Sequence, residues 1–368
     1  MHWLLKVRKS ELFLLVSYGT CLVFFLFGYS LFHKFHGYSG LTFVLVWLFA
    51  AIMGSALRVV RHADRLAILL GEPYGTLILT LSVTFIEVVS IAAVMTHGQQ
   101  NPTLARDTMF AVVMILLNGM VGLSLLLGGL RHREQQYNLQ GANAYLGAII
   151  PLVVLSLILP TVTQTTAGPT LSGVQQVFLV LTSVGLYATF IVTQTGRHRG
   201  FFVVEDEIED HSSARTEKGS TAYHAVLLVA YLVPVVYLAE HLAEPIDYFI
   251  ETLGVPTAIG GVLMALLVAT PEAIGAIRAA AANQIQRSIN IFLGSVLSTI
   301  GLTVPAMILI SLLTGHPLIL GVEGADMLML LLTLAVCVVT FASGRTNVIQ
   351  GAVHLVLFGA YLLLILQK

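Results

Sequence analysis

Residues 76–95 read TLILTLSVTFIEVVSIAAVM, and residues 259–277 read IGGVLMALLVATPEAIGAI. Each stretch is apolar and about 20 residues long, the length that a helix needs to cross the hydrocarbon core of a bilayer. Each also carries one carboxylate deep inside it, Glu87 in the first and Glu272 in the second. A charge at the centre of a membrane helix costs about 2.5–3.5 kcal/mol even on the more lenient insertion scale. The two glutamates are therefore candidate functional residues.

The composition indicates a polytopic membrane protein. Of the 368 residues, 57% are hydrophobic and 10% are charged, whereas soluble domains carry about 25% charged residues. Cys21 and Cys337 both lie in apolar stretches and predict neither a disulfide nor a metal site. We expect the lipid bilayer as surroundings, no cofactor and no nucleic-acid partner.

Apolar windows of membrane-spanning length recur along the whole chain. The eleven windows run over residues 11–32, 41–60, 75–96, 107–128, 144–160, 173–195, 222–242, 256–277, 290–313, 326–342 and 347–366. They predict an all-α polytopic membrane protein with eleven transmembrane helices.

The distribution of basic residues tests that count, because Lys and Arg are enriched in cytoplasmic loops. With the N-terminus in the cytoplasm, all 18 lysines and arginines fall on the cytoplasmic side except Lys34, Arg106 and Lys368. One missed or invented helix would reverse the sides from that point onward. We therefore predict a cytoplasmic N-terminus and a C-terminus on the opposite side.

An acidic segment divides the chain near its middle and predicts its domain organisation. Residues 1–36 form an N-terminal first helix, and five spans precede an acidic cytoplasmic linker at residues 201–220. The two sets of five occupy residues 37–200 and 221–368. Because five is odd, the second set inserts with the opposite orientation, as in transporters built from inverted repeats. Glu87 and Glu272 each lie on the second helix of a set, so the repeat predicts that they face each other near the bilayer midplane.

Oxygen-bearing groups accompany both glutamates at helical spacing. Pro271, next to Glu272, removes a backbone donor and is expected to disrupt the turn before it, and freed carbonyls in a membrane persist where they line a cavity. Calcium prefers six to eight oxygen ligands. The candidate supporting ligands are Thr84, Ser90, Asn118, Val268 (through its carbonyl), Thr270, Ser295 and Ser298. For the hydroxyls and for Asn118, a hydrogen bond to their own or a neighbouring helix is the alternative.

A pair of buried carboxylates predicts competition between protons and cations for the same oxygens, which is the minimal mechanism of an antiporter. A passive cation channel and a membrane-embedded hydrolase are the alternatives from other classes. The sequence contains no Walker motif and no GxSxG elbow, so we expect neither ATP coupling nor enzymatic activity.

Acidic side chains at the ends of two spans are candidates for an access path. Glu240 and Glu244 lie at the outer end of the seventh span, in a spacing that matches neither HExxH nor HxxEH. Asp64 lies at the cytoplasmic end of the second span. A plain interfacial cluster is the alternative for Glu240 and Glu244.

Three segments together resemble a known family. Asp64 to Gly75, running on to Thr84-Phe-Ile-Glu87, resembles the first repeat of the calcium/proton exchanger family, within the cation/calcium exchanger superfamily. Gly128 to Asn138 is similar to that family's loop after the fourth helix. Ala269-Thr-Pro-Glu272 resembles its second repeat. The likeness is strongest to the bacterial sodium–calcium/proton antiporters of the inner membrane.

The resemblance implies a secondary antiporter that exports Ca²⁺ in exchange for H⁺, with Glu87 and Glu272 as shared cation and proton ligands in a bacterial inner membrane. It leaves homo-oligomerisation open. Where many members carry Gly-Asn before the glutamates, this chain has Val83-Thr84 and Val268-Ala269. The missing amide ligands are consistent with a site that also accepts Na⁺ or K⁺, and a monovalent-selective antiporter is the alternative function.

Overall fold

The fold of the chain is a set of apolar helices. The computed structural model describes residues 11–34, 37–71, 74–97, 101–202 and 220–367. The helices are α1 (Leu12–Lys34), α2 (Tyr38–Leu70), α3 (Tyr74–Met95), α4 (Leu104–His132), α5 (Leu139–Val162), α6 (Gly173–Thr195), α7 (Thr221–Thr252), α8 (Thr257–Ala281), α9 (Ile285–Thr314), α10 (Gly324–Thr340) and α11 (Val348–Leu366). A short 3-10 turn, Arg199–Phe201, follows α6.

Each of the eleven predicted windows falls on one of these helices. Within the described ranges, nine of them are long and apolar enough to cross a membrane. The other two apolar stretches, Leu12–Gly28 in α1 and Gly324–Thr340 in α10, are shorter. The helical, membrane-spanning character is therefore confirmed, while the count of eleven spans and the inverted repeat stay predictions. Residues 1–10, 203–219 (most of the predicted acidic linker) and 368 lie outside the described residues.

Several helices begin at side-chain caps, which satisfy backbone N–H groups that have no partner inside the helix. Ser172 and Gln175 form a capping box at the start of α6, and Asn347 and Gln350 form one at the start of α11. The side chain of Asn138 accepts bonds from the first turn of α5. These caps fix where α5, α6 and α11 begin.

The helices separate into two compact units. The first unit holds α1, α2, α3 and α7, and the second holds α4, α5, α6 and α8 to α11. Each unit takes helices from both predicted five-helix sets, because compact units follow packing and not the order of the chain.

In the first unit, α2 packs against α7, α3 and α1. Its buried stripe is spaced by three or four residues, as expected for one face of a helix. The stripe consists of Val44, Leu48, Ile52, Ala56 and Val59. At 33 residues, α2 continues well past the predicted window at 41–60.

In the second unit, glycines allow helix backbones to approach closely. A Cβ added at Gly351 of α11 would lie 2.5 Å from the backbone nitrogen of Leu126 and 2.9 Å from the carbonyl oxygen of Gly122, both in α4. A Cβ added at Gly261 of α8 would lie 2.7 Å from the backbone of Asp107 in α4. Small residues at such crossings let van der Waals packing hold membrane helices together.

A two-stranded antiparallel ribbon joins two loops of the second unit. Strand β1 (Gln135–Gln136) follows α4, and strand β2 (Arg345–Thr346) follows α10. Both loops were predicted on the cytoplasmic side, and the ribbon places them on one side of the unit. The side chain of Gln135 also donates to the carbonyl of Ala280 at 2.9 Å, which ties the end of α8 to the ribbon.

Candidate functional site

Glu87 lies near the middle of α3, in the first unit, and its side chain is 1% exposed. The residues before and after it are apolar and form an uninterrupted helix. The helix therefore holds this carboxylate where water cannot solvate its charge. An ionised carboxylate that is removed from water needs a paired charge or a proton.

Two hydroxyls on the face of Glu87 differ from two other hydroxyls of the same region. Ser82 and Thr96 each donate to the carbonyl four residues earlier, both at 2.7 Å, which is the ordinary bond of a hydroxyl in an apolar helix. Thr84 and Ser90 are buried, and their hydroxyl oxygens have no hydrogen-bond partner in the part of the chain that the structure describes. They stand three residues before and three after Glu87, so all three lie on one helix face.

Glu272 lies on α8, in the second unit, and is partly exposed, with one carboxylate oxygen buried. The structure keeps α8 helical from Thr257 to Ala281, through Pro271, where we expected a disrupted turn. Proline still withholds one N–H from the helix, but the flanking turns hold the backbone in place. Thr270, a predicted ligand, donates its hydroxyl to the carbonyl of Leu266 in its own helix. Val268 is buried one turn before Glu272.

Asn118 belongs to a buried hydrogen-bond chain of the second unit. Its Nδ2 donates to Thr333 Oγ1 at 2.8 Å, and its Oδ1 lies 3.2 Å from His354 Nδ1. His354 Nε2 lies 2.9 Å from Thr340 Oγ1. An amide oxygen only accepts, so Nδ1 of His354 carries the hydrogen and Nε2 accepts from Thr340. This series of hydrogen bonds joins α4, α10 and α11, so Asn118 bonds between helices. Its role as a cation ligand stays a prediction.

This hydrogen-bond chain predicts a loss of stability when His354 is replaced. His354→Leu leaves Asn118 Oδ1 and the Thr340 hydroxyl without their buried partner, which costs about 1–3 kcal/mol. We expect a lower thermal midpoint in detergent for His354→Leu, and a smaller loss for His354→Asn, whose amide nitrogen can occupy the place of Nδ1. Equal midpoints for wild type and His354→Leu would contradict the assignment.

Two of the predicted ligands lie in α9 before a widened turn. Ser298 donates to the carbonyl of Ser295 at 2.9 Å, within its own helix. The next residues, Thr299–Thr303, form a π-helical turn, and Ile115–Met120 form another one in α4, around Asn118. Such turns are frequent at functional sites because they change the direction of nearby side chains. Both lie in the third helix of a predicted set.

The predicted access residues are all exposed on helices of the first unit. Asp64 lies on α2, and Glu240 and Glu244 lie on α7. The structure adds Asp247 on the same helix, 7% exposed, which accepts a bond from Asn101 Nδ2 at 3.3 Å.

Sequence reasoning missed both His354 and Asp247. A signal existed for His354, because it is an ionisable residue inside the apolar window at 347–366, and the rule that selected Glu87 also applies to it. Asp247 lies beyond the predicted window at 222–242, so hydropathy did not mark it.

Within the described residues, no group of three or more His, Cys, Asp and Glu side chains is placed to hold a metal ion. Glu87 with its two hydroxyls lies in the first unit, and Glu272 lies in the second. The pairing of the two glutamates stays a prediction from the inverted repeat.

The apolar helices define a multi-pass membrane protein that carries a buried carboxylate in its interior. The chain belongs to the sodium/calcium exchanger protein family, which it matches over residues 40–196 and 223–367. This confirms the superfamily to which the sequence motifs pointed.

Two curated relatives and one solved structure show how far the similarity extends. The chain is 39% identical over 367 residues to the sodium-potassium/proton antiporter ChaA of Escherichia coli (strain K12), covering 98% of this chain and 97% of the relative. It is 42% identical over 324 residues to the putative ionic transporter y4hA of Sinorhizobium fredii, covering 87% and 88%. The crystal structure of the Ca²⁺/H⁺ antiporter protein YfkE superposes with a TM-score of 0.72 at 16% identity, covering 97% of this chain and all of that one. At that identity the superposition supports the fold alone.

Proposed function

We propose that this protein is a secondary antiporter that exports Ca²⁺, Na⁺ or K⁺ in exchange for H⁺, with Glu87 and Glu272 as cation and proton ligands. The observation that supports this best is the face of α3, where a carboxylate 1% exposed lies between two buried hydroxyls that have no hydrogen-bond partner among the described residues. Carboxylate and hydroxyl oxygens are ligands suited to these cations.

The burial of Glu87 links cation binding to proton binding. A carboxylate that leaves water as an anion loses its hydration, so it is stable only when a cation or a proton neutralises it. Binding one therefore displaces the other. If the site opens to only one side of the membrane at a time, the two fluxes are coupled in opposite directions.

A monovalent-selective Na⁺(K⁺)/H⁺ antiporter is the second candidate. A relative at 39% identity over nearly the whole chain is named a sodium-potassium/proton antiporter. The residues before the glutamates, Val83-Thr84 and Val268-Ala269, supply no side-chain amide. Fewer oxygen ligands favour an ion of lower charge over Ca²⁺, which takes six to eight.

We further propose that the protein lies in a bacterial inner membrane with its N-terminus in the cytoplasm, and that it has no enzymatic activity. The positive-inside pattern and the bacterial relatives support this orientation and location.

Ion-by-ion proton flux tests the proposed function. Everted vesicles that contain the protein are made acidic inside, and CaCl₂, NaCl or KCl is then added outside across a range of pH. We expect the added cation to dissipate the gradient, with the ion preference separating the two candidates. Cation flux without proton countermovement would instead identify a channel and overturn the proposal.

The hydroxyls beside Glu87 predict a change in cation affinity. Thr84→Val and Ser90→Ala each remove one oxygen at nearly constant volume, which we expect to raise the half-saturating cation concentration about tenfold, equivalent to ~1.4 kcal/mol. The maximal rate should change little. Ser82→Ala is the matched control, because its hydroxyl bonds to its own helix. If Ser82→Ala weakens affinity as much as Ser90→Ala does, the hydroxyls are not ligands.

A further inference from the structure

A second group of titratable side chains lies in the first unit, where the start of α1 meets α2 and α7. His62 is 3% exposed, and its Nδ1 lies 2.9 Å from Nδ1 of His224. Its Nε2 lies 3.5 Å from the carboxylate of Glu11. Tyr231 donates its hydroxyl to the same carboxylate at 2.8 Å, and its ring stacks on the imidazole of His62.

The geometry of this histidine pair, His62 and His224, limits how many protons it holds. When both rings are neutral, one Nδ1 carries a hydrogen and the other accepts it. One additional proton keeps that bond, because three hydrogens on four nitrogens still leave one Nδ1 free to accept. A second additional proton places two N–H groups and two positive charges opposite each other at 2.9 Å, and the contact cannot persist.

We propose that the histidine pair is a proton-binding site that joins α2 to α7 while it holds no more than one additional proton and separates them when it holds two. The first proton is stabilised by Glu11, which faces Nε2 of His62. The second is opposed by the charge of the first, so it binds at a lower pH.

The charged surroundings agree with this order. Arg61 and Arg65 of α2 lie within electrostatic range of the pair, and Arg58 lies near Tyr231. Burial of the two imidazoles opposes additional positive charge most strongly, Arg61 and Arg65 oppose it further, and Glu11 favours it. Tyr223 contacts both imidazoles edge-on through its ring. Because its carboxylate faces Nε2 of His62, Glu11 decides which of the two imidazoles holds the first additional proton.

The consequence for transport rests on the proposed function. These ends of α2 and α7 were predicted on the cytoplasmic side, so the second proton would come from the cytoplasm. An antiporter that brings protons inward acidifies that side. Separation of α2 from α7 would then stop transport when the cytoplasm becomes too acidic.

Nuclear magnetic resonance of ¹⁵N-histidine tests the site without reference to transport. The full chain in detergent micelles is titrated from about pH 8 to pH 4.5, a range that brackets the titration of free histidine. The spectra of His62→Asn and His224→Asn identify the two rings among the 12 histidines. Asparagine keeps a polar group at the Nδ1 position but cannot bind a proton.

In the wild type we expect the pair to titrate in two coupled steps. In the His224→Asn variant, His62 should titrate in a single step. The pH of that step should lie at least about 0.5 unit above the second step of the wild-type pair. A His62 titration curve that is identical in wild type and His224→Asn would overturn the proposal. The reciprocal variant, His62→Asn, provides the same comparison for His224 if His224→Asn does not fold.

The transport arm uses the same variant and a matched control. Acidifying the cytoplasmic side should inhibit transport by the wild type, which gives the plot of transport rate against pH an acid limb. In His224→Asn the pH of this limb should shift by at least about 0.5 unit. His198→Asn, at an exposed histidine after α6, should leave the limb in place. An unmoved limb in His224→Asn would overturn the inhibition. No transport by the wild type in any salt would overturn the proposed function instead, and the titration would still decide the proton site.

Discussion

Glu87→Gln is expected to abolish cation-dependent proton flux. Glutamine has the shape of glutamate, but it neither ionises nor exchanges a proton for a cation. Because Glu87 is 1% exposed, water cannot replace its carboxylate. We expect the flux to fall by more than about 100-fold, beyond the 10- to 100-fold loss typical of groups that only support a ligand. Glu272→Gln should give the same loss.

The measurement compares gradient dissipation by the variants and the wild type in everted vesicles at matched protein levels. Glu134→Gln is the control, because Glu134 is a highly exposed carboxylate that lies 3.7 Å from Arg345. Wild-type flux in either Glu87→Gln or Glu272→Gln would refute the role of that glutamate. A loss in Glu134→Gln of equal size would show that the assay reports general damage.

Gly351→Leu is expected to prevent the second unit from packing. Even a Cβ at this position would overlap the backbone of α4 at Leu126 and Gly122, and backbone cannot move aside as a flexible side chain can. Overpacking of this kind costs about 3 kcal/mol or more. We expect little folded protein, or a strongly lowered thermal midpoint in size-exclusion measurements.

Gly359 offers a matched control on the same helix. A Cβ there would meet no atom of the described residues within 4 Å, and Gly359 is exposed on α11. Gly359→Leu should therefore keep the wild-type midpoint or raise it slightly, because leucine favours the helix by up to about 1 kcal/mol over glycine. Equal midpoints for the two variants would mean that α11 does not cross α4 at Gly351.

Hydropathy predicted the existence and order of the helices because lipid demands long apolar stretches. It predicted their ends less well. Helix α2 continues past residue 60 through Arg61 and Arg65, and α7 continues through Glu244 and Asp247. Helices that extend beyond the apolar region keep their backbone bonds but lose the apolar signal that marks them.

The sequence predicted those features of the candidate site that depend on residue spacing within a single helix. Residue spacing alone places Thr84 and Ser90 on the face of Glu87. Spacing does not show whether a hydroxyl bonds to its own carbonyl, so it could not separate Thr270, which does, from Thr84. Contacts between distant residues, such as Asn118 with His354 or His62 with His224, depend on tertiary packing that one sequence does not reveal.

The membership of the first unit has a consequence for biosynthesis. Helix α2 ends at Leu70, but α7, against which it packs, begins at Thr221. About 150 residues must be made between them, which takes about 8 to 30 s at ordinary rates of translation. During that interval three helices of the other unit enter the membrane, while α2 still lacks α7 as a packing partner. Lipid tails, which are as apolar as the side chains of α2, cover this surface of α2 until α7 is inserted.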